Sequence, residues 1–372
     1  MAAGLPSQRQ IESNMTNQWH VGTWRRNGSG ILMLSAVNTC ARLLREATYP
    51  LYSTGRVFSD RIRYRKSSYI AESWDGHDSC LNPGKAAIYV HFDRTGRVHE
   101  YVFHAVRSLK DLGFRVYFVS NAPNLAASAR KQLLPLCARV LRRRNVGHDF
   151  GAYRDVLLDI LPLQLETVLL MNDSVYGPLS PLDKVLQDAK PEKADVWGLT
   201  DSWDMRYHLQ TYFILFHAQA LQNDSFVRYW QELPYVNHRE WVVKFGEVGL
   251  TQKLLRGGLR CRALFPYEEL TRKFLGGART CEQAAPLSHA HLSFSAHMAE
   301  AIEGGGPLNP THHFWDLLIQ ELGFPFVKRD LLQRNPIRVP TVARWREIVA
   351  RNGFDVELIT DHLRMLARHH SV

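Results

Sequence analysis

The chain is poor in everything that staples or anchors a protein. Five cysteines (Cys40, Cys80, Cys137, Cys261, Cys281) are spread over 372 residues, with no CxxC pair and an odd total. That argues against a disulfide framework or a zinc ribbon and for scattered buried thiols in a reducing compartment. No stretch reaches the roughly 20 apolar residues that a membrane-spanning helix needs. Gly30 to Val37, after Arg25-Arg26, mimics a signal-peptide core, but Cys40-Ala41-Arg42 offers no small-x-small cleavage site. A cytoplasmic protein is expected, with peripheral contact at the membrane face left open. Acidic residues are also in short supply: 36 Asp and Glu face 46 Lys and Arg, a formal charge of +10. This surplus suits an anionic partner, whether nucleotide phosphates, nucleic acid or an acidic membrane surface. At 45% hydrophobic and 22% charged, the composition excludes a disordered or collagenous chain.

Three segments are expected. Residues 1–82 read as a basic, partly ordered arm, with one amphipathic helix between Leu32 and Leu44 and the cluster Arg61, Arg63, Arg65, Lys66. Asn82-Pro83-Gly84 marks the boundary to an α/β domain at 83–305, and 306–372 read as a helical extension. Within the domain, apolar strands at Ala87–Phe92, Arg115–Ser120, Ala138–Arg142 and Thr167–Met171 alternate with helices at Val98–Leu112, Leu125–Leu134 and Gly151–Ile160. Continuous apolar strands alternating with helices predict a mostly parallel, Rossmann-like sheet with helices on both faces. Arg262 to Pro266 is the last strand expected, and helices follow at Trp315–Leu322, Val327–Leu332, Val342–Ala350 and Val356–Ala367.

In such sheets ligands bind beyond the carboxyl ends of the strands. Those ends are polar here: His91-Phe92-Asp93, Ser120-Asn121, Asn145-Val146-Gly147-His148-Asp149 and Asn172-Asp173-Ser174. Gly147 and Gly151 allow close backbone approach, and the helix that follows offers free N–H groups to an anion, although Asp149 can equally be a simple N-cap. Asn172 and Asp173 at a strand tip can hold a hard cation, or can just close a turn. Trp197 and Trp203 with His208 and Gln210 resemble the wall of a sugar site, where rings stack on pyranose faces and polar groups bond hydroxyls, although each aromatic taken alone is more often core. Glu247, opening a helix, favours the helix dipole or serves as a general base.

Taken in order, Tyr89-Val90-His91-Phe92-Asp93, Val119-Ser120-Asn121, Asn145 to Tyr153, Leu169 to Leu179, Trp197 to Asp201, His208 to Phe213, Asn309 to Asp316 and Pro325 to Leu332 resemble the rhamnan synthesis protein F family. That family comprises bacterial polysaccharide-assembly proteins related to GT-A glycosyltransferases. The resemblance covers roughly residues 86–350. It implies a GT-A-like fold and transfer of a sugar, in the type case rhamnose from its dTDP form, to a glycan or lipid-linked acceptor of rhamnan or O-antigen type. It implies donor contacts from Asp93, Asn121, Asn145, Gly147, Asp149, Asn172 and Ser174. Sugar or acceptor contacts would come from Trp197, Asp201, His208 and Gln210. Asp173 would be catalytic as the metal residue, for Mg²⁺ or Mn²⁺. Related enzymes carry Asp-x-Asp where this chain has Asn172-Asp173-Ser174, so one carboxylate is offered and metal dependence stays open. Glu247 falls where inverting relatives deprotonate the acceptor hydroxyl, with Val248 where a second acid is common.

Two other classes compete with an enzyme. A catalytically silent relative, binding glycan or scaffolding an assembly complex, is kept open by the altered Asp-x-Asp. Nucleic-acid binding through Arg139, Arg142, Arg143 and Arg144 is disfavoured because a strand sends alternate side chains to opposite faces. His289, His291, His297, His312 and His313 are read as surface or cap histidines, since no sequence-near carboxylate or cysteine completes a site.

Overall fold

The structure, a computed structural model, describes residues 54–77, 84–280 and 288–370. The helix expected within Leu32–Leu44, and Cys40, Cys80 and Cys281, lie outside these residues.

Eight strands form the main path of one mixed sheet, in the order β1-β4-β3-β2-β5-β9-β7-β10. They are β1 (Ile70–Asp75), β2 (Lys85–His91), β3 (Arg115–Ser120), β4 (Arg139–Arg143), β5 (Thr167–Asn172), β7 (Val196–Ser202), β9 (Phe213–His217) and β10 (Cys261–Phe265). The short β8 (His208–Leu209) pairs with the end of β7. Another short strand, β6 (Val175–Tyr176), leaves the tip of β5 and pairs antiparallel with β11 (Val327–Lys328). Strands β2, β3, β4 and β5 run parallel, β9 runs antiparallel between β5 and β7, and β10 is parallel to β7. This is the mostly parallel sheet, covered by helices on both faces, that the alternating pattern implies.

Both faces are covered because the strand residues are apolar on both sides. Along β2, Ala87 and Tyr89 enter one core with Phe118, Leu169 and Met171. Ala86, Ile88 and Val90 enter the other, with Val119 and Leu170. Helix α1 (Glu100–Asp111) and the C-terminal helices, among them α5 (Trp315–Leu322), cover the first face. Helices α2 (His148–Ile160), α3 (Asp224–Glu232) and α4 (Val248–Arg256) cover the second.

Two local expectations need correction. The segment Val327–Leu332 is not one helix: Val327 and Lys328 extend to pair with Tyr176 and Val175 before helix α6 (Arg329–Arg334) begins. Sheet pairing overrides helix propensity there. Likewise a 3₁₀ turn, Pro340–Arg344, precedes the helix Trp345–Ala350, since proline lacks the N–H an α-helix interior uses. Residues 54–77 of the arm are built into the fold: a helix at 54–63 is followed by β1 along the edge of β4. The Asp60 carboxylate accepts from the Asn237 backbone N–H at 2.9 Å.

The arginine run on β4 behaves as alternation dictates. Arg143 is fully buried and pairs with Asp155 at 2.9 Å, while Arg142 reaches Glu72 and Arg139 reaches Asp159. Each guanidinium is paired with a carboxylate. Cys137 is buried and Cys261 partly so, both as free thiols.

Candidate functional site

Pairing between strands decides which loops meet. Val90 of β2 lies opposite Asn172 of β5, and Met171 lies opposite Phe213 of β9. The tip of β5 therefore emerges between the end of β2 and the start of β9. The Asp173 N–H bonds the Val90 carbonyl at 3.0 Å, and the Asn172 N–H the Tyr212 carbonyl at 3.2 Å. The Asn172 amide donates to the Asp149 carboxylate at 2.9 Å, and its oxygen accepts from the Ser174 N–H at 3.1 Å.

Asp149 sits in the first turn of α2, behind Gly147 at φ 77° in the left-handed region. A Cβ at Gly147 would lie 3.2 Å from the Tyr235 ring, and the Gly147 N–H is held by Asn237 at 2.6 Å. At Gly151 a side chain would collide with the Val146 carbonyl. Both glycines thus pack the strand-to-helix turn. Burial, reinforced by the nearby Asp173 charge, pushes the Asp149 carboxyl up to about 7, against a smaller opposing effect of the Asn172 hydrogen bond.

Two cations reach this rim from β11 and α6. Arg329 pairs with the Asp173 carboxylate at 2.9 Å and donates to its backbone carbonyl at 2.7 Å. Lys328 Nζ lies 3.3 Å from Ser174 Oγ and 3.9 Å above the Tyr212 ring. Burial pulls the Lys328 ammonium down to about 8, although the charges of Glu247, Asp149 and Asp330 favour its protonated form. The sequence alone leaves these two side chains open between solvent and an acceptor phosphate. The register of β11 on β6, closed by an Arg329 N–H to Ser174 carbonyl bond of 2.9 Å, turns them inward.

Glu247 ends a π-helical turn, Val242–Glu247, just before α4. Such turns are rare and concentrate at functional sites. Its carboxylate accepts from Thr211 Oγ1 at 3.2 Å and lies 3.6 Å from His208 Nε2. The other His208 nitrogen faces the Arg206 carbonyl at 2.8 Å, which requires a proton on Nδ1 and leaves Nε2 to the carboxylate. Leu209 N–H to Thr251 Oγ1 (3.1 Å) and Gln252 Nε2 to the Tyr207 carbonyl (2.8 Å) tie β8 to α4 and fix this pairing.

Beside the rim, at the ends of β2, β3 and β4, a cavity of about 260 Å³ is lined by Phe92, Asn121, Pro123, Arg142 and the exposed Asn145, among others. Asn121 shapes it from below: its oxygen accepts from Arg143 at 2.8 Å and its amide donates to the His148 carbonyl at 3.2 Å.

The remaining sequence candidates lie elsewhere or serve the scaffold. Asp93 follows Phe92, whose N–H donates to the Asp173 carboxylate at 3.2 Å, but its own carboxylate is engaged locally. Its carboxylate takes the Thr95 and Arg97 N–H groups at 2.8 and 3.1 Å and lies 3.7 Å from His99. Burial acts to raise it, but these donors hold it well below the usual carboxylate range. Trp197 is a core residue rather than a sugar wall: it is 5% exposed, with its indole N–H on the Lys190 carbonyl. A central position on β7, between β9 and β10, covers it on both sides. Asp201 accepts the Tyr267 N–H at 2.6 Å and Gln210 the Thr200 hydroxyl at 2.7 Å, so both brace the sheet end. Trp203, by contrast, is 56% exposed on the β7–β8 connection and packs on Tyr207 at 5.2 Å.

The residues present are a poor fit to a divalent cation. Asp173 is engaged by Arg329, the Asn172 oxygen by Ser174, and burial disfavours the ionised form of Asp149 that a cation needs. No group of three His, Cys, Asp or Glu side chains is placed to hold a metal ion among the described residues. None of the described helices is long and apolar enough to cross a membrane.

The uncharacterized protein y4gN of Sinorhizobium fredii is 25% identical over 259 residues, 62% of this chain and 67% of its own length. Virulence protein VirA of Vibrio anguillarum is 25% identical over 283 residues, 74% of this chain and 88% of its own. Among solved structures, the mannosyltransferase PcManGT of Pyrobaculum calidifontis, in complex with GDP-Man and Mn²⁺, aligns over 81% of this chain and 96% of its own. Its identity is 10% and the TM-score 0.27, too low to carry an argument. The model of the rhamnan synthesis protein F family matches residues 116–287. This span holds Asn121, Asp149, the Asn172-Asp173-Ser174 tip, His208 and Glu247, so the likeness to the rhamnan synthesis protein F family covers the residues of the rim.

Proposed function

We propose that the protein is a glycosyltransferase of bacterial surface-polysaccharide synthesis. It would take a sugar, rhamnose in our reading, from a nucleoside diphosphate and pass it to a glycan or lipid-linked acceptor on the cytoplasmic side. The observation that carries this reading is the placement of Glu247 across a polar rim from the β5 tip and Lys328, beside a cavity at the strand ends. The family match over 116–287 supports it.

In this reading the cavity at Phe92, Asn121, Arg142 and Asn145 takes the nucleoside, and the diphosphate lies along Asn172-Asp173-Ser174. The acceptor approaches from the side of His208, Thr211 and Glu247, where exposed Trp203 offers a ring face. Glu247 takes the proton of the acceptor hydroxyl. The oxygen lone pair forms the new bond to the anomeric carbon, and the bond to the diphosphate breaks with its electron pair leaving on the phosphate oxygen. Attack opposite the leaving group inverts the anomeric centre. Positioning of the two sugars and stabilisation of the departing charge carry most of the rate in such a step. Residues 83–305 would hold the donor, and 306–372 would close the rim over it.

The test is to incubate purified protein with dTDP-, UDP- and GDP-sugars and rhamnan oligosaccharide acceptors, reading product mass and anomeric configuration. Transfer with inversion is expected. A protein that binds glycan but no nucleotide-sugar would be a silent binder and would refute the assignment.

A further inference from the structure

Lys328 and Arg329 are delivered to the β5 tip by backbone pairing rather than by flexible side-chain reach. Lys328 lies opposite Val175 in the β11–β6 ladder, and the Arg329 N–H closes on the Ser174 carbonyl at 2.9 Å. The two cations then divide the work. Arg329 is spent on Asp173, both on its carboxylate at 2.9 Å and on its carbonyl at 2.7 Å. A metal ion seeking Asp173 would have to displace that guanidinium. Lys328 carries three N–H donors, and among the described residues the structure satisfies one of them, with Ser174 Oγ at 3.3 Å. Its ammonium is partly buried over the Tyr212 ring, where reduced solvent screening strengthens attraction to an anion.

Resting on the nucleotide-sugar reading of this crevice, we propose that Lys328 is the cation that takes up the charge of the departing diphosphate, and that transfer needs no divalent metal. Arg329 is a positioning residue: it holds Asp173 and the β5 tip against β11. When the bond between anomeric carbon and diphosphate breaks, the electron pair stays on the phosphate oxygen, which accepts hydrogen bonds from Lys328. The acceptor proton resides on Glu247, so Lys328 neither gains nor loses a proton.

The experiment is calorimetric titration of full-length protein with UDP, GDP and dTDP and with the matching monophosphates. It is run in EDTA and again with Mg²⁺ or Mn²⁺, on wild type, Lys328→Met, Lys328→Arg and Arg329→Met, with thermal unfolding of each variant as a fold check. Wild type should bind a diphosphate equally well in EDTA. Lys328→Met, which keeps the apolar stem, should lose about 10–100-fold in diphosphate affinity, the range of one charge-assisted hydrogen bond. Its monophosphate affinity should change less than threefold, and Lys328→Arg should restore most of the loss. Arg329→Met should lower the unfolding temperature. Binding that vanishes in EDTA and returns with metal would overturn the proposal while leaving the nucleotide-sugar site standing. So would equal losses for mono- and diphosphate in Lys328→Met. Wild type that binds no nucleotide in either buffer would overturn both the proposal and the function beneath it.

Discussion

Glu247→Gln isolates proton transfer from everything else this side chain does. Gln has the same length. Its oxygen can still accept from Thr211 Oγ1, now at 3.2 Å, and its amide can donate to His208 Nε2, where the carboxylate now stands at 3.6 Å. The local contacts survive, and only the ability to accept a proton is lost. General-base catalysis contributes about 10²–10⁴-fold, and at about 1.36 kcal/mol per tenfold this is about 2.7–5.4 kcal/mol of barrier. The turnover number should fall by that factor while the donor KM moves less than about threefold, since the residue acts in the transition state alone. Glu247→Asp supplies the complementary perturbation. It keeps the base but withdraws it by one methylene, and a displacement of about 1 Å can cost about 10²-fold. Steady-state kinetics with donor and acceptor each varied in turn measure both. Turnover of Glu247→Gln within threefold of wild type would refute the assignment of the base, as would a defect confined to donor KM.

Asp173→Asn keeps the shape of the β5 tip but leaves Arg329 without its carboxylate. Transfer should fall below detection in a folded protein, and near-normal turnover would remove Asp173 from the machinery. Asp155→Asn breaks a fully buried pair with Arg143 at 2.9 Å. Losing one partner of such a pair costs about 3–5 kcal/mol, so the calorimetric Tm of a chain this long should drop by about 4–6 °C, and a shift under 1 °C would contradict the pairing. Affinity for an intact nucleotide-sugar, whose diphosphate has no titration near neutrality, should fall as pH rises from 6 to 9. Asp149 becomes anionic through about 7, and Lys328 loses its charge through about 8. Titration calorimetry that gives a flat profile over this interval would exclude both groups from the diphosphate's surroundings.

The sheet was legible because its signal is local. Continuous apolar runs such as Val168-Leu169-Leu170 have no polar face to expose, so they need cover on both sides, and the structure buries all three. The rule that ligands gather beyond strand ends brought Asp149 and Asp173 together correctly, since both follow strands of the parallel part. Asp93 also follows a strand, next to the Phe92 N–H that bonds Asp173, but its carboxylate closes its own turn, as one two residues before a threonine can. Trp197 was misread: aromatic residues are most often core, and burial depends on the strands alongside rather than on the sequence around it.

Lys328 and Arg329 show why the rest was illegible. The run Phe326-Val327-Lys328-Arg329-Asp330 has the look of a solvated helix start, and its neighbours Val175 and Tyr176 are about 150 residues away in sequence. Only the two-residue ladder between β6 and β11 converts it into a strand, and that ladder aims one cation at Ser174 and the next at Asp173. The single carboxylate of Asn172-Asp173-Ser174 and the two cations from the C-terminal part then form one electrostatic arrangement. Two carboxylates facing a buried Lys-Arg pair would bind it too tightly to leave an ammonium for phosphate, whereas one carboxylate occupies Arg329 and leaves Lys328 available. Adding a second acid beside Asp173 by Asn172→Asp should therefore weaken diphosphate binding in EDTA rather than strengthen it, and a titration showing tighter metal-free binding would refute this account of the site.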